Sequence, residues 1–233
     1  MTEKIINTIP KEIKQRATGT ASYYDDRDDI LREEIERQRA EIRRKQADRL
    51  WKASNVGKRF EEVSFDSYRG DLQARSVCEN WVDFYAEGAG LLLCGGYGVG
   101  KTHLAISTAR ATLERYKTTV WIDTFAGMLQ ELKSAYSQPA EFSKALAKYK
   151  DVDLLVIDDL GKENLTSWAN ETLFTVIDSR YRDMKSLIIT TNLLPNELSK
   201  HIDEAVMSRL AEMCRFVKVE GTDYRLKKRG EQK

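Results

Sequence analysis

The sequence predicts an α/β domain built on a mainly parallel sheet, preceded by a charged helical extension. Three observations predict it. From about Gln73 onward, short apolar runs, "LLLC", "TTVWID", "DLLVIDD", "SLIITTN" and "RFVKVEG", alternate with segments of helical periodicity. The first run, Leu91 to Cys94, passes through a glycine-rich turn straight into the helix-patterned "THLAISTARATLERY". The third ends in two adjacent acids, Asp158 and Asp159. Strands that alternate with helices imply a parallel sheet covered on both faces, with ligands at the carboxyl ends of its strands.

The extension comes first in the chain. A length of 233 residues fits one medium domain with an appendage, and we place the divisions at 1–53 for a helical extension, 54–72 for a linker and 73–233 for the α/β domain. From Asp25 to about Lys52 the chain reads "DDRDDILREEIERQRAEIRRKQADRLWK". Acids lead and bases follow, which suits the helix dipole, and Glu/Arg pairs three or four apart add small increments. A long solvated helix is expected, with a disordered arm as the alternative on composition alone. The sparse apolar residues Ile30, Leu31, Ile35, Ile42, Leu50 and Trp51 favour docking onto a partner. "SNVGKRFEEVSFDSYRG", Ser54 to Gly70, then reads as the linker, and "ARSVCENWVDFYAEG" as a helix ahead of the first strand.

Composition excludes several classes. A net charge of +1 gives no global signal for a polyanion, so any nucleic-acid surface is a local patch. No apolar stretch approaches the roughly 20 residues of a membrane span, and the N-terminal "MTEKIINTIPKEIK" lacks the apolar centre of a signal peptide. A cytoplasmic protein without a membrane partner is expected. Cys78, Cys94 and Cys214 are scattered, and His103 and His201 have no ligand-spaced neighbours, so neither a disulfide framework nor a zinc site is supported.

The glycine-rich turn carries the first chemical signal. Gly95-x-x-x-x-Gly100-Lys101-Thr102 has the spacing of a phosphate-binding loop, in which backbone N–H groups wrap an anion at the start of a helix. Gly95, Gly96, Tyr97, Gly98, Val99, Gly100, Lys101, Thr102 and His103 are therefore the candidate residues for binding a nucleoside triphosphate. Lys101 would reach the β and γ phosphates, and the Thr102 hydroxyl would complete the coordination of Mg²⁺. A plain strand–turn–helix needs only the glycines and has no use for Lys-Thr at this offset.

"DLLVIDDLG" carries the second. Buried carboxylates are costly unless paired or bound to metal. At a strand end beside a phosphate loop, Asp158 fits the acid that holds Mg²⁺, and Asp159 the base that polarises an attacking water. Two acids capping a strand into solvent would look the same in isolation. Asn192, at the end of "SLIITTN", could position that water or touch the γ-phosphate, although an asparagine before "LLP" is also ordinary turn chemistry. Arg209 in "VMSRL" and Arg225 in "DYR" have little intrinsic case, because a lone arginine is usually a surface charge.

Taken in order, "GGYGVGKTH", "LLVIDDLGKE", "IITTN", "VMSRL" and "DYR" resemble the AAA+ ATPases of the bacterial replicative helicase loaders, the DnaC/DnaI type, with the ATPase of IS21-type transposons as a relative. The resemblance covers about Phe60 to Leu226. It implies a five-stranded parallel sheet with the sensor strand between the two phosphate-binding strands, and a rudimentary C-terminal lid. It further implies that Asn192 is sensor 1, Arg209 an arginine finger delivered to a neighbouring subunit, and Arg225 the sensor 2 arginine. By position, Tyr136, Thr166 and Trp168 match residues that hold single-stranded DNA in the pore of a spiral oligomer, with Lys133, Lys144, Lys148 and Lys150 available to its backbone. Packing of Trp168 and Tyr136 into the domain is the other reading of those rings.

The implied activity is ATP-dependent loading of a DnaB-type helicase onto single-stranded DNA, with slow hydrolysis stimulated by oligomerisation and DNA. A regulator of transposition on duplex DNA is the alternative. Two departures from the family pattern stand out. Asp159 replaces the usual glutamate, whose longer arm suits rapid hydrolysis, and Glu163 is no obvious substitute. The N-terminal part also lacks the cysteine-rich zinc module of some loaders, which leaves helicase contact to the charged helix and suits a phage or prophage version.

Overall fold

The structure, a computed structural model, describes residues 23–54, 56–161 and 165–224. Glu163 and Arg225 lie outside them. The chain divides into two compact units, 1–46 and 47–233. Helix α1, Tyr23–Ala53, runs through the charged segment. Within the first unit its surface is laced by pairs three and four residues apart, Arg37 to Glu34 and Arg39 to Glu36 at 2.9 Å, and Lys45 to Glu41 at 2.7 Å. Exposed pairs of this kind each stabilise a helix by only a few tenths of a kcal/mol, about 0.2–0.5.

The second unit begins with the end of α1. Leu50 and Trp51 pack against its two apolar clusters, Arg110 lies over the Trp51 ring at 5.5 Å, and the Ser54 hydroxyl accepts the N–H of Ile122 at 3.1 Å. The stretch expected as a linker is folded onto the same core. Val56, Val63 and Tyr68 are buried there, with 3₁₀ turns at Lys58–Phe60 and Phe65–Ser67.

After α2 (Leu72–Trp81) the strands and helices alternate as the pattern requires: β1 Gly90–Cys94, α3 Lys101–Tyr116, β2 Val120–Thr124, α4 Phe125–Ala135, α5 Pro139–Asp151, β3 Leu154–Leu160, α6 Ser167–Arg182, β4 Ser186–Thr191, the short α7 Pro195–Leu198, α8 Glu204–Met213 and β5 Cys214–Lys218. The five strands lie in the order β2-β3-β4-β1-β5, and every adjacent pair is parallel. β4 therefore sits between β1 and β3, as the resemblance implies. Successive side chains of a strand point to opposite faces, and here both faces are dry. Leu92, Leu155, Ile157, Leu187 and Ile189 join α4, α6 and α8 on one side, while Leu91, Leu93, Leu154, Val156 and Ile188 join α2 and α3 on the other.

A buried arginine ties the lower edge together. Arg180 donates to the carbonyls of Tyr149, Val152 and Asp153 at 2.9–3.1 Å, and also to those of Lys150 and Ser186. Burial pushes its guanidinium down to about 10, still charged at neutral pH. Carbonyls left over at the end of α5 and the starts of β3 and β4 thus find a partner. Among the described residues, no helix is long and apolar enough to cross a membrane.

Candidate nucleotide site

The loop between β1 and α3 can wrap an anion only because of what its glycines permit. Gly100 has φ +100°, and a side chain there would meet the Tyr68 ring at 2.7 Å. Gly98 has φ +72° with the Asp223 carboxylate against it. The chain after β5 crosses the loop, with the Val219 N–H on the Cys94 carbonyl at 2.7 Å and the Tyr224 N–H on that of Gly98 at 3.1 Å. Asp71, which caps α2, also accepts the N–H of Glu220. A loop held from both sides keeps its N–H groups oriented before any ligand arrives.

Lys101 opens α3 and is only 6% exposed. Its ammonium donates to the Gly95 carbonyl at 2.9 Å, the Gly96 carbonyl at 2.7 Å and Asn192 Oδ1 at 2.8 Å. The amide nitrogen of Asn192 is buried without a hydrogen-bond partner. Thr102 donates from its hydroxyl to Asp158, 2.9 Å to one carboxylate oxygen and 3.1 Å to the other. His103 bonds the Ser64 carbonyl at 2.9 Å and stacks edge-on with Tyr68, and its burial lowers its pKa, so it is neutral at pH 7.

Adjacent acids on a regular strand would face opposite sides of the sheet. Asp158 and Asp159 do not. Ile157 pairs with Ile189 and Leu160 with Thr191, so two residues of β3 stand opposite the single Thr190 of β4. This is a β-bulge. Asp159 takes φ +61° at the bulge, and it lines the same cavity as Lys101, Thr102 and Asn192. That cavity, about 800 Å³, is walled by the phosphate loop, by Tyr68 and its neighbours, and by Glu220 to Tyr224. The site thus brings together the loop residues, the two acids and Asn192. The donor set suits a nucleoside triphosphate with Mg²⁺: a carboxylate and a hydroxyl side by side, a lysine at the loop, and an amide donor with nothing to bond.

The remaining candidates stand elsewhere. Arg209 is not part of the cavity wall. It pairs with Asp178 and lies over the rings of Phe174 and Tyr181. Tyr136 is exposed, edge-on to Phe142. The Thr166 hydroxyl caps α6 by accepting the N–H of Ala169, and Trp168 is half-buried against the core. Lys148 has partners within the domain. It pairs with Glu131 and lies 4.1 Å from the centre of the Trp121 ring, while the buried Tyr149 hydroxyl bridges Glu131 and Asp123. Sequence reasoning missed Tyr68, Asp178 and Thr190, whose bonds to Val99, Arg209 and Asp158 respectively join segments distant in the chain.

A family model described as IstB-like ATP binding protein matches residues 2–232. The chain is 27% identical over 199 residues to the phage-like element PBSX protein XkdC of Bacillus subtilis (78% of this chain, 73% of that one). It is 27% identical over 168 residues to the replicative helicase loader DnaC of Escherichia coli strain K12 (70% and 68%). The crystal structure of the DnaC helicase loader superposes with a TM-score of 0.64 at 29% identity, covering 70% of this chain and 100% of that one. Against YqaM, an uncharacterized B. subtilis protein, the match spans only 59% of that relative's length.

Proposed function

Because the chain belongs to the family of IstB-like ATP binding proteins, we propose that it hydrolyses ATP to load a DnaB-type replicative helicase onto single-stranded DNA. The observation that carries this reading is the similarity to a replicative helicase loader over 70% of this chain. The site supplies the means. Lys101, held by the two loop carbonyls and Asn192, swings toward the β and γ phosphates when they enter. Asn192 then turns its spare amide donor to the γ-phosphate or the attacking water. Asp159 orients that water, and its short arm keeps turnover slow. Thr102 and Asp158 would hold Mg²⁺, which when bound would supply positive charge to the phosphate oxygens.

ATP and single-stranded DNA promote assembly of several copies in the cytoplasm. In the assembly Arg209 reaches a neighbour's phosphates, Arg225 the phosphates of its own subunit, and Tyr136, Thr166 and Trp168 face the DNA. The N-terminal extension grips the helicase. The test is co-purification with the replicative helicase, with and without ATP and single-stranded DNA, beside a transposase with duplex DNA. Helicase capture that grows with ATP and single strands supports the loader. Capture of transposase on duplex alone would make the protein a transposition ATPase.

A further inference from the structure

We propose that Thr190 is the positioning residue for both strand-end acids, a role that rests on the ATP-site reading above. Its hydroxyl is fully buried opposite the bulge. A threonine hydroxyl has one proton to give and lone pairs to receive, and here both capacities are used on neighbouring residues. It donates to Asp158 Oδ1 at 2.5 Å and accepts the backbone N–H of Asp159 at 2.9 Å.

Each bond answers a need the bulge creates. The extra residue of a bulge loses its ladder partner, and the Asp159 N–H finds the Thr190 oxygen instead. A non-glycine residue in the left-handed region persists only where its surroundings over-determine it, and the bond from Asp159 to Thr190 is such a constraint. Asp158 is gripped from two sides, by Thr102 from the phosphate loop and by Thr190 from the sheet. When Thr102 turns to a metal ion, the Thr190 bond remains to aim the carboxylate. One hydroxyl on β4 therefore couples the residue that would hold the metal to the residue that would orient the water.

The experiment compares Thr190→Val, Thr190→Ser and Asp158→Asn with the parental protein by titrating a fluorescent ATP analogue, once with Mg²⁺ and once with EDTA. The shape is kept in the valine variant and the hydroxyl in the serine variant. We expect Thr190→Val to lose the Mg²⁺-dependent gain in affinity by about tenfold or more, the loss that removing a partner of a metal ligand commonly brings. Affinity in EDTA should be unchanged, Thr190→Ser should match the parent, and in Mg²⁺ the valine variant should show a raised KM for ATP together with slower turnover. A Thr190→Val protein with the parental Mg²⁺ response overturns the proposal. If the parent itself ignores both Mg²⁺ and Asp158→Asn, the site reading fails and takes the proposal with it. Should the valine variant not fold, Thr190→Cys, a weaker donor, carries the test: an intermediate Mg²⁺ response supports the role and a parental one overturns it.

Discussion

The Arg209 guanidinium lies 2.7 Å from Asp178 Oδ1 through Nη2, and its Nε donates to the same oxygen at 2.9 Å. Asp178 is nearly enclosed, with 8% of its side chain exposed, and it also pairs with Arg182. An arginine that leaves for a neighbouring subunit would normally strand a buried carboxylate, at a cost of several kcal/mol, about 3–5. Here Arg182 stays behind.

The first prediction follows from that sharing. Arg209→Ala should bind ATP with near-parental affinity and lose hydrolysis by about 10³-fold or more, as expected of a finger that acts on transition-state charge. Its stability should fall by no more than about 1 kcal/mol in urea, the scale of a partly exposed pair. Mixed with an excess of Asp159→Asn subunits, it should regain activity, because some interfaces then unite an intact base with an intact finger. Mixed oligomers that stay inactive would return Arg209 to a purely structural role.

Lys101→Ala should behave differently. The ammonium is buried among the Gly95 and Gly96 carbonyls and the Asn192 amide oxygen, at the loop proposed to take the phosphates. Removing a buried, hydrogen-bonded charge from a recognition site costs about 2–5 kcal/mol of binding. Titration of fluorescent ATP should register that loss while circular dichroism stays parental. Unchanged affinity in a folded variant would refute the assignment.

Tyr136 and Trp168 separate two explanations of the same residue type. Tyr136 is 65% exposed, so Tyr136→Ala should leave the thermal midpoint in place and weaken single-stranded DNA binding by about 1–3 kcal/mol, the scale of base–aromatic stacking. Trp168 is packed on the core. Trp168→Ala should lower the thermal midpoint whether or not it touches DNA. Fluorescence anisotropy with a labelled oligonucleotide, read beside thermal melts, tells them apart. DNA affinity unmoved in both variants would remove this surface from the DNA path.

Truncation should have a sharp boundary. Deleting 1–46 removes one compact unit and should abolish helicase capture while ATP affinity persists. Deleting 1–53 also removes Leu50 and Trp51, which pack on the second unit, and should cost at least about 2 kcal/mol of stability on the scale of buried large-to-small changes. Equal urea midpoints for the two truncations would contradict this.

The phosphate loop was legible from spacing alone because every part of it is local: glycines at the turn, then lysine and threonine where the helix begins. The five strands were legible too, since a strand buried on both faces reads as an unbroken apolar run. The adjacent acids announced a site but not how two neighbours on one strand could both serve it. That required the bulge, and the bulge exists only in the register of β3 against β4, where Asp158 and Asp159 face a threonine some thirty residues away. The same holds for Arg209, whose partner Asp178 lies on another helix, and for Val56, Val63 and Tyr68, whose burial turns an expected linker into part of the core. By itself the sequence determined the phosphate-loop spacing and the buried strands, because both are properties of neighbouring residues. Only the tertiary structure decided which hydroxyl aims the acids, which acid holds the arginine and where the domain begins, because each depends on strand register and helix packing between segments that no local pattern links.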